Sequence, residues 1–251
     1  MKLPFPCIER PSLNFDERAA GRQVDMLLLH YTGMPSAREA LDRMTDPDAK
    51  VSAHYMIDRD GTVFALVDET KRAWHAGVAS WQGQRDINSC SVGIELVNPG
   101  HEWGYEPFTE PLMSSLIVLA QRIVERHTIP PARVLGHSDV APARKTDPGE
   151  LFDWKRLADL GVGVWPAAGP SPINATPPLA AGASGDDVAH LQRRLGSFGY
   201  GIDVTGDYDK LTEQVVTAFQ RHWRQSRVDG IADAETGAIL EGLLDQVLLK
   251  S

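Results

Sequence analysis

The sequence predicts an α/β fold in which a mixed β-sheet is flanked by helices and followed by a small three-helix domain. Short apolar runs alternate with segments of helical periodicity in the first part of the chain, which is typical of helices packed on a sheet. The last part has helical patterns alone. A proline-rich stretch without charged residues separates the two parts.

The first half of the predicted sheet domain contains a strand, a helix and a hairpin. Residues 24–30 are a short apolar run suited to a buried strand. Residues 36–44 begin with Ser36, a favourable N-cap, and continue with helix formers. Residues 53–67 have the pattern of two strands joined by an Asp-Gly turn, which is a hairpin signal.

The second half of this domain is predicted to contain two strands and its longest helix. Residues 91–98 and 133–137 are strand candidates on either side of the helix. Residues 109–127 carry apolar side chains at helical spacing, and Thr109 can cap the helix.

The last part of the chain contains a short internal repeat. Residues 206–212 and 230–236 share Gly, Asp and Thr in the same register, and each copy leads into an apolar helical pattern. Turn glycines and threonine caps explain this repeat as helix-start chemistry.

The boundary between the parts is placed in the uncharged stretch. Residues 160–185 hold no charged side chain, and five of the seventeen prolines lie in 165–185. We predict domains at 1–164 and 180–251, joined by a Pro/Ala-rich linker at 165–179. The alternative is a long surface loop within one domain, although such loops are uncommon in compact folds.

Composition excludes several classes of protein. The 251 residues are 42% apolar and carry a formal charge of −9, with only two cysteines. These values exclude a disordered chain, a disulfide scaffold and a nucleic-acid-binding footprint. No window has the length of a membrane span, and the amino terminus lacks the apolar core of a signal peptide. The chain as written is therefore expected to be cytoplasmic and not inserted in a membrane.

Two histidines stand where predicted strands end, at His30 and His137. The segment after His137 also contains Asp139, Lys145 and Asp147. Two histidines and one aspartate would form a three-ligand site with an open fourth position, which is typical of catalytic zinc. The spacing alone is weak support, because a lone histidine at a strand end is more often structural.

Glu95 is unusual because it lies in the middle of a predicted strand. Alternation places it on the same face as Gly93, which indicates the floor of a cleft. The alternative is the solvated face of an edge strand. Lys145 lies two residues before Asp147 and could point at whatever a metal holds.

Four separated motifs together resemble the zinc-dependent type 2 N-acetylmuramoyl-L-alanine amidases, whose fold the peptidoglycan recognition proteins share. The motifs are YTG after His30, the block from Ser52 to Gly83, the strand SVGIELVNPG, and GHSDVAPARKTDPGELFDW. They occur in the family's order and cover about residues 20–160. The resemblance implies hydrolysis of the amide bond between N-acetylmuramic acid and L-alanine in peptidoglycan or muropeptides.

The resemblance also implies roles for individual residues. The implied zinc ligands are His30, His137 and Asp147, which hold one Zn²⁺ per catalytic domain. Glu95 is implied to be the catalytic glutamate, and Lys145 to stabilise the oxyanion. Trp74 and His75, in the WHAG motif, match positions that line the substrate cleft.

The carboxy-terminal part resembles a peptidoglycan-binding domain with a three-helix core. The matching pieces are GDDVAHLQRRL, VTGDYDKLTEQVVTAFQ and VDGIADAETGAIL. Such a module implies a periplasmic or envelope location, in disagreement with the cytoplasmic expectation. The partners implied are peptidoglycan or muropeptides, with no nucleic acid, and a monomer is expected. A non-catalytic peptidoglycan receptor and a phage-type lysin are the alternatives; such receptors lose a zinc ligand, whereas this chain has all three.

Overall fold

The computed structural model describes residues 7–166 and 177–248. Its strands, in chain order, are β1 (Cys7–Glu9), β2 (Phe15–Glu17), β3 (Met26–Tyr31), β4 (Tyr55–Ile57), β5 (Val63–Ala65), β6 (Lys71–Ala73), β7 (Ser91–Leu96) and β8 (Val134–Gly136). Its α-helices are α1 (Ala37–Thr45), α2 (Ile87–Cys90), α3 (Gly100–Trp103), α4 (Glu110–His127), α5 (His137–Val140), α6 (Trp154–Asp159), α7 (Asp186–Phe198), α8 (Lys210–Trp223) and α9 (Ala234–Leu248). Short 3₁₀ turns occur at Pro47–Ala49 and Pro131–Arg133.

The main sheet is mixed. Six strands lie in the order β1-β5-β4-β7-β3-β8, and β4, β7, β3 and β8 run parallel to one another. Strand β5 is antiparallel to β4 and forms the predicted hairpin with it. Strands β2 and β6 form a separate antiparallel pair. The predicted fold class, a mixed sheet with helices followed by a helical region, is confirmed.

Most predicted elements occur close to their expected positions. Helix α1 is capped by the side chain of Ser36, which accepts a hydrogen bond from the Glu39 amide, and α4 begins directly after Thr109. The strand expected at 133–137 ends one residue earlier, because the backbone turns into α5 at His137. The short strands β1, β2 and β6 are not among the predicted elements.

The central strand β3 is covered on both faces. Leu27 and Leu29 pack in the cluster that contains the apolar side of α4, whereas Met26 and Leu28 pack in a second cluster on the opposite face. Alternation continues to His30, which therefore lies on the same face as Met26 and Leu28. This face is the one that meets the helical region.

The helical region packs directly on the sheet region. One apolar cluster contains Leu28 and Trp81 together with Leu195, Phe198 and other residues of α7, α8 and α9. The ring of Trp81 meets those of Phe198 and Tyr200 edge-on, with centroids 5.8 and 5.0 Å away. The two regions therefore share a core, although the chain between them has the composition of a spacer.

The predicted linker falls largely on residues 167–176, which lie outside the described residues. At its start, Trp165 packs against the shared core, and the Val164 carbonyl accepts a hydrogen bond from the Trp223 indole. The domain boundaries stay a prediction. Within the two described ranges, no helix has both the length and the apolar character required to cross a bilayer.

Candidate functional site

The candidate site forms where three parallel strands end at one edge of the sheet. His30 and Glu95 are direct neighbours in the register of β3 and β7. On the other side of β3, β8 ends at Gly136, and His137 is the first residue of α5. The loop after α5 returns Asp147 to the same edge, where its carbonyl accepts a hydrogen bond from the Ser138 amide at 2.9 Å.

Three buried side chains converge at this edge, and we call them the triad: His30, His137 and Asp147. The Nδ1 atoms of His30 and His137 are 2.9 Å apart, and each lies 3.0 Å from Oδ2 of Asp147. All three side chains are at most 8% exposed. The three expected ligands are thus brought together, with one donor atom of each facing a common point.

The chemistry of these donor atoms fits a zinc ion. The Nε2 atom of His137 is 2.9 Å from the Ala76 carbonyl oxygen, so this nitrogen must carry the proton that it donates. In the neutral ring, Nδ1 of His137 then has an unshared electron pair directed at the other two triad atoms. Two imidazole nitrogens and a carboxylate oxygen are a set that catalytic zinc takes, with a fourth position left for water.

The charge states of the triad also suit a cation. Burial, together with the neighbouring His137, lowers the pKa of His30 to about 4, so its ring is neutral at pH 7. Burial alone would raise the pKa of Asp147, but His137 and His30 outweigh this effect and hold that pKa well below its usual range. The triad therefore presents a neutral His30 imidazole and an ionised Asp147 carboxylate.

Glu95 lies beside the triad with one oxygen unused. Its Oε2 atom is buried and has no hydrogen-bond partner among the described residues. Burial and the charge of Asp147 raise the Glu95 pKa well above its usual value, while the cation of Lys145 lowers it. A carboxylate with a raised pKa and an available oxygen can take and return a proton near neutral pH.

Lys145 connects the site to a cavity. Its charge acts on both His30 and Glu95, and it forms no ion pair with the residues described. The cavity has a volume of about 300 Å³ and lies between residues 142–146 and the side chains of α8, including Lys210 and Arg221. Lys145 thus lines a groove that the helical region helps to form, while its charge acts on the buried site.

The two WHAG residues occupy different environments. The Trp74 indole donates a hydrogen bond to Asp16 at 2.7 Å in a partly exposed position. His75 is only 6% exposed and lies beneath the triad, with its Nδ1 atom 3.0 Å from Nε2 of His30. Substrate contact by Trp74 and His75 stays a prediction, whereas the contact between His75 and His30 is direct.

Sequence reasoning missed a second buried cluster, which we call the interface cluster: Asp139, Tyr200 and His222. Oδ1 of Asp139 accepts from the Tyr200 hydroxyl at 2.9 Å, and Oδ2 accepts from His222 Nδ1 at 2.7 Å. The His222 ring stacks between Trp154 and Trp223. No local pattern predicts this cluster, because its members come from both regions of the chain.

Two protein-family models match the chain. The model described as N-acetylmuramoyl-L-alanine amidase matches residues 20–150, and the model described as putative peptidoglycan binding domain matches residues 184–240. The first range contains the triad, Glu95 and Lys145, and the second contains most of the helical region.

Two known amidases are similar to the chain over different shares of its length. N-acetylmuramoyl-L-alanine amidase AmiD of Escherichia coli is 36% identical over 95% of this chain and 90% of its own length. 1,6-anhydro-N-acetylmuramyl-L-alanine amidase AmpD of Haemophilus influenzae is 33% identical over 60% of this chain and 89% of its own length.

Two solved structures share the arrangement of both regions. The complex of E. coli AmiD with anhydro-N-acetylmuramic acid-L-Ala-D-γ-Glu-L-Lys superposes with a TM-score of 0.75 at 35% identity, and covers 92% of this chain and 93% of that one. AmpDh3 of Pseudomonas aeruginosa superposes with a TM-score of 0.71 at 31% identity, and the match covers 90% of this chain and 93% of that one.

Proposed function

The chain belongs to the N-acetylmuramoyl-L-alanine amidase family, and we propose that it hydrolyses the muramoyl–L-alanine amide bond at a zinc centre held by its triad. The observation that carries this proposal is the convergence of His30, His137 and Asp147 within 3.0 Å of one another. A zinc ion bound there supplies a Lewis acid that lowers the pKa of a coordinated water and polarises the amide carbonyl.

Glu95 acts as the proton carrier in this proposal. Its buried Oε2 atom accepts a proton from the attacking water and then donates it to the departing nitrogen of L-alanine. One water is consumed, the C–N bond breaks, and the products are the muramoyl carboxylate and the free amine of the stem peptide. Burial and the charge of Asp147 raise the pKa of Glu95, which makes its carboxylate a stronger base than an exposed glutamate.

Lys145 stabilises negative charge in the transition state. The former carbonyl oxygen gains negative charge as water attacks, and the Lys145 ammonium group, whose charge also acts on Glu95, can face it. A point charge suits this role, since no planar bidentate geometry is needed.

The substrate is peptidoglycan or fragments derived from it. The helical region matches a peptidoglycan-binding model, and the AmiD structure contains a muropeptide. We propose that the enzyme is a monomer that acts on polymeric wall in the cell envelope as well as on muropeptides. The alternative is an enzyme that acts on soluble muropeptides alone.

The test uses the full chain with intact sacculi and, separately, with anhydro-muropeptides. Mass spectrometry should detect free stem peptides from both substrates, and a chelator should abolish their release until zinc is restored. Binding to sacculi without any released peptide would replace the enzyme by the receptor alternative. Release from muropeptides alone would restrict the substrate to soluble fragments.

Sedimentation with sacculi measures wall binding by the helical region separately from hydrolysis. Glu95→Gln is used so that the wall remains intact, and the variant is expected in the pellet. Light scattering of the same preparation should give the mass of one chain. A variant that stays in the supernatant, or a mass of two chains, contradicts the corresponding part of the proposal.

A further inference from the structure

His75 contacts one member of the triad from the side opposite to the predicted zinc position. Its Nδ1 atom lies 3.0 Å from Nε2 of His30, and the two rings are nearly perpendicular, at 79°. Nδ1 of His30 faces the other triad atoms. His75 therefore occupies the one ring nitrogen of His30 that does not point into the site.

Ser91, which contacts His75, determines which ring donates in the hydrogen bond between His30 and His75. Ser91 Oγ is 2.7 Å from the Ile87 carbonyl oxygen, which can only accept, so the Ser91 hydroxyl proton points there. The Ser91 oxygen is then an acceptor for Nε2 of His75, at 3.3 Å. In a neutral His75 ring the proton is on Nε2, and Nδ1 accepts from His30 Nε2. This assignment leaves Nδ1 of His30 with an unshared pair for a metal.

Ala76, the residue after His75, fixes the proton position of His137 in the same way. The Ala76 carbonyl accepts the Nε2 proton of His137, which leaves Nδ1 of that ring unprotonated. Oδ1 of Asn88 holds this segment in place by accepting from the amides of His75 and Ala76, at 3.2 and 2.8 Å. Two consecutive residues thus fix the proton positions of both imidazoles in the triad.

Gly93 provides the space that His75 occupies. A Cβ atom at position 93 would lie 2.6 Å from the His75 ring, well inside van der Waals contact. Gly93 is one alternation before Glu95 on β7, so the same face of the strand holds the His75 ring and then the catalytic carboxylate. The glycine therefore has a specific packing role beneath the site.

We propose that His75 is a positioning residue, which fixes the tautomer and orientation of His30 for zinc instead of lining the substrate cleft. The proposal rests on the zinc centre proposed above and deepens it. Partners that orient a metal-bound imidazole typically contribute about 10–100-fold to metal affinity. His75 is expected to contribute by this amount without touching substrate.

The test measures zinc affinity of the full chain by competition with a chromophoric chelator. His75→Ala is expected to bind zinc about 10–100-fold more weakly. His75→Asn should restore most of the affinity, because an asparagine carbonyl oxygen can take the place of Nδ1. His127→Ala is the control, since this ring bonds Glu69 and no member of the triad. Native affinity in His75→Ala overturns the proposal, as does equal weakening in all three variants.

A second variant removes dependence on how well His75→Ala folds. Gly93→Ala keeps His75 but displaces its ring, and should weaken zinc binding by a similar factor. Adding His75→Ala to Gly93→Ala should then cause little further loss, because both changes break one contact. Additive losses overturn the proposal.

The absorption spectrum of the cobalt-substituted protein gives a readout of ligand geometry. It should change in His75→Ala and remain native in His127→Ala, and an unchanged spectrum in His75→Ala counts against the proposal. If the unaltered chain binds no zinc or releases no stem peptide, the proposed function fails. That result is distinct from loss of the His75 effect alone.

Discussion

The triad and the interface cluster are both buried, and both combine histidine with aspartate, but they use their polar atoms differently. In the interface cluster each carboxylate oxygen of Asp139 accepts from a defined donor: the Tyr200 hydroxyl for Oδ1, and His222 with the Gly136 amide for Oδ2. In the triad, two imidazole nitrogens and one carboxylate oxygen face one another.

This difference indicates which cluster can bind a cation. Hydrogen bonds inside the interface cluster consume its donors and acceptors, so it joins two regions of the protein. In the triad, His75 and the Ala76 carbonyl accept the Nε2 protons of His30 and His137. The Nδ1 lone pairs of both rings therefore face Asp147 without a proton between them. Residue type alone therefore does not distinguish a metal site from a structural cluster; the placement of protons does.

The largest expected effect is the loss of zinc and of activity when a histidine of the triad is removed. Removal of a histidine from the interface cluster is the comparison. His137→Ala should lose stoichiometric zinc, with activity reduced on the order of a thousandfold or more, because the metal's contribution to the barrier is lost. His30→Ala and Asp147→Ala should behave alike. His222→Ala should keep one zinc per chain. Metal analysis of the purified proteins checks this, and stoichiometric zinc in His137→Ala contradicts its role as a ligand.

A comparison of two glutamates tests whether the unpartnered oxygen beside the triad is chemically active. Glu95→Gln should reduce turnover by about a hundredfold to ten-thousandfold while zinc remains bound, because the proton carrier is lost. Glu69 is the control: it is 8% exposed and bonded to Tyr55, Arg126 and His127. Glu69→Gln should cost stability but leave turnover of the folded protein native. Native turnover in Glu95→Gln would exclude it from the mechanism.

Substitutions in the interface cluster should lower the free energy of unfolding and leave zinc binding unchanged. His222→Ala leaves Asp139 without its 2.7 Å partner and removes a ring stacked between two tryptophans. We expect a loss of about 2–4 kcal/mol in the free energy of unfolding. Tyr200→Phe removes a single hydrogen bond and should cost about 1 kcal/mol. Urea denaturation of the zinc-loaded proteins measures both, and native stability of His222→Ala contradicts the assigned role.

The two clusters also predict a pH dependence for the stability of the zinc-free protein. Burial lowers the pKa of His30 to about 4 and also lowers that of His222, so each ring gains its proton at a lower pH in the folded protein than in the unfolded chain, where the pKa is near 6.5. Stability is therefore fully present above pH 6.5 and is lost as the pH falls towards 4. Each ring contributes up to about 1.4 kcal/mol per pH unit.

His222→Asn isolates the share of the interface cluster. It keeps a donor for Asp139 but removes the titratable ring, so the slope of unfolding free energy against pH should become shallower between pH 6.5 and 5. Urea denaturation in the presence of a chelator measures this slope. A slope identical to that of the unaltered protein means that His222 does not titrate on unfolding.

Much of the fold could be predicted because its long elements carry strong periodicity. Helix α4 and strands β3 and β7 lie within two residues of their expected bounds, and Ser36 caps α1 as expected. Packing of the helical region on the sheet could not be predicted, because a stretch rich in proline and alanine indicates a spacer whatever the regions beside it do. The shared core around Trp81 and Phe198 depends on complementary surfaces, which no local pattern records.

The sequence alone determined which residue types the site could contain, because strand ends and family motifs pointed to His30, Glu95, His137, Lys145 and Asp147. Only the tertiary structure decided how the remaining histidines are used. His75 and His222 are both far in sequence from the groups they contact, and hydrogen-bond direction depends on atoms brought together by the sheet. Spacing along the chain limits which residues can meet locally, whereas proton positions are set by partners that folding supplies.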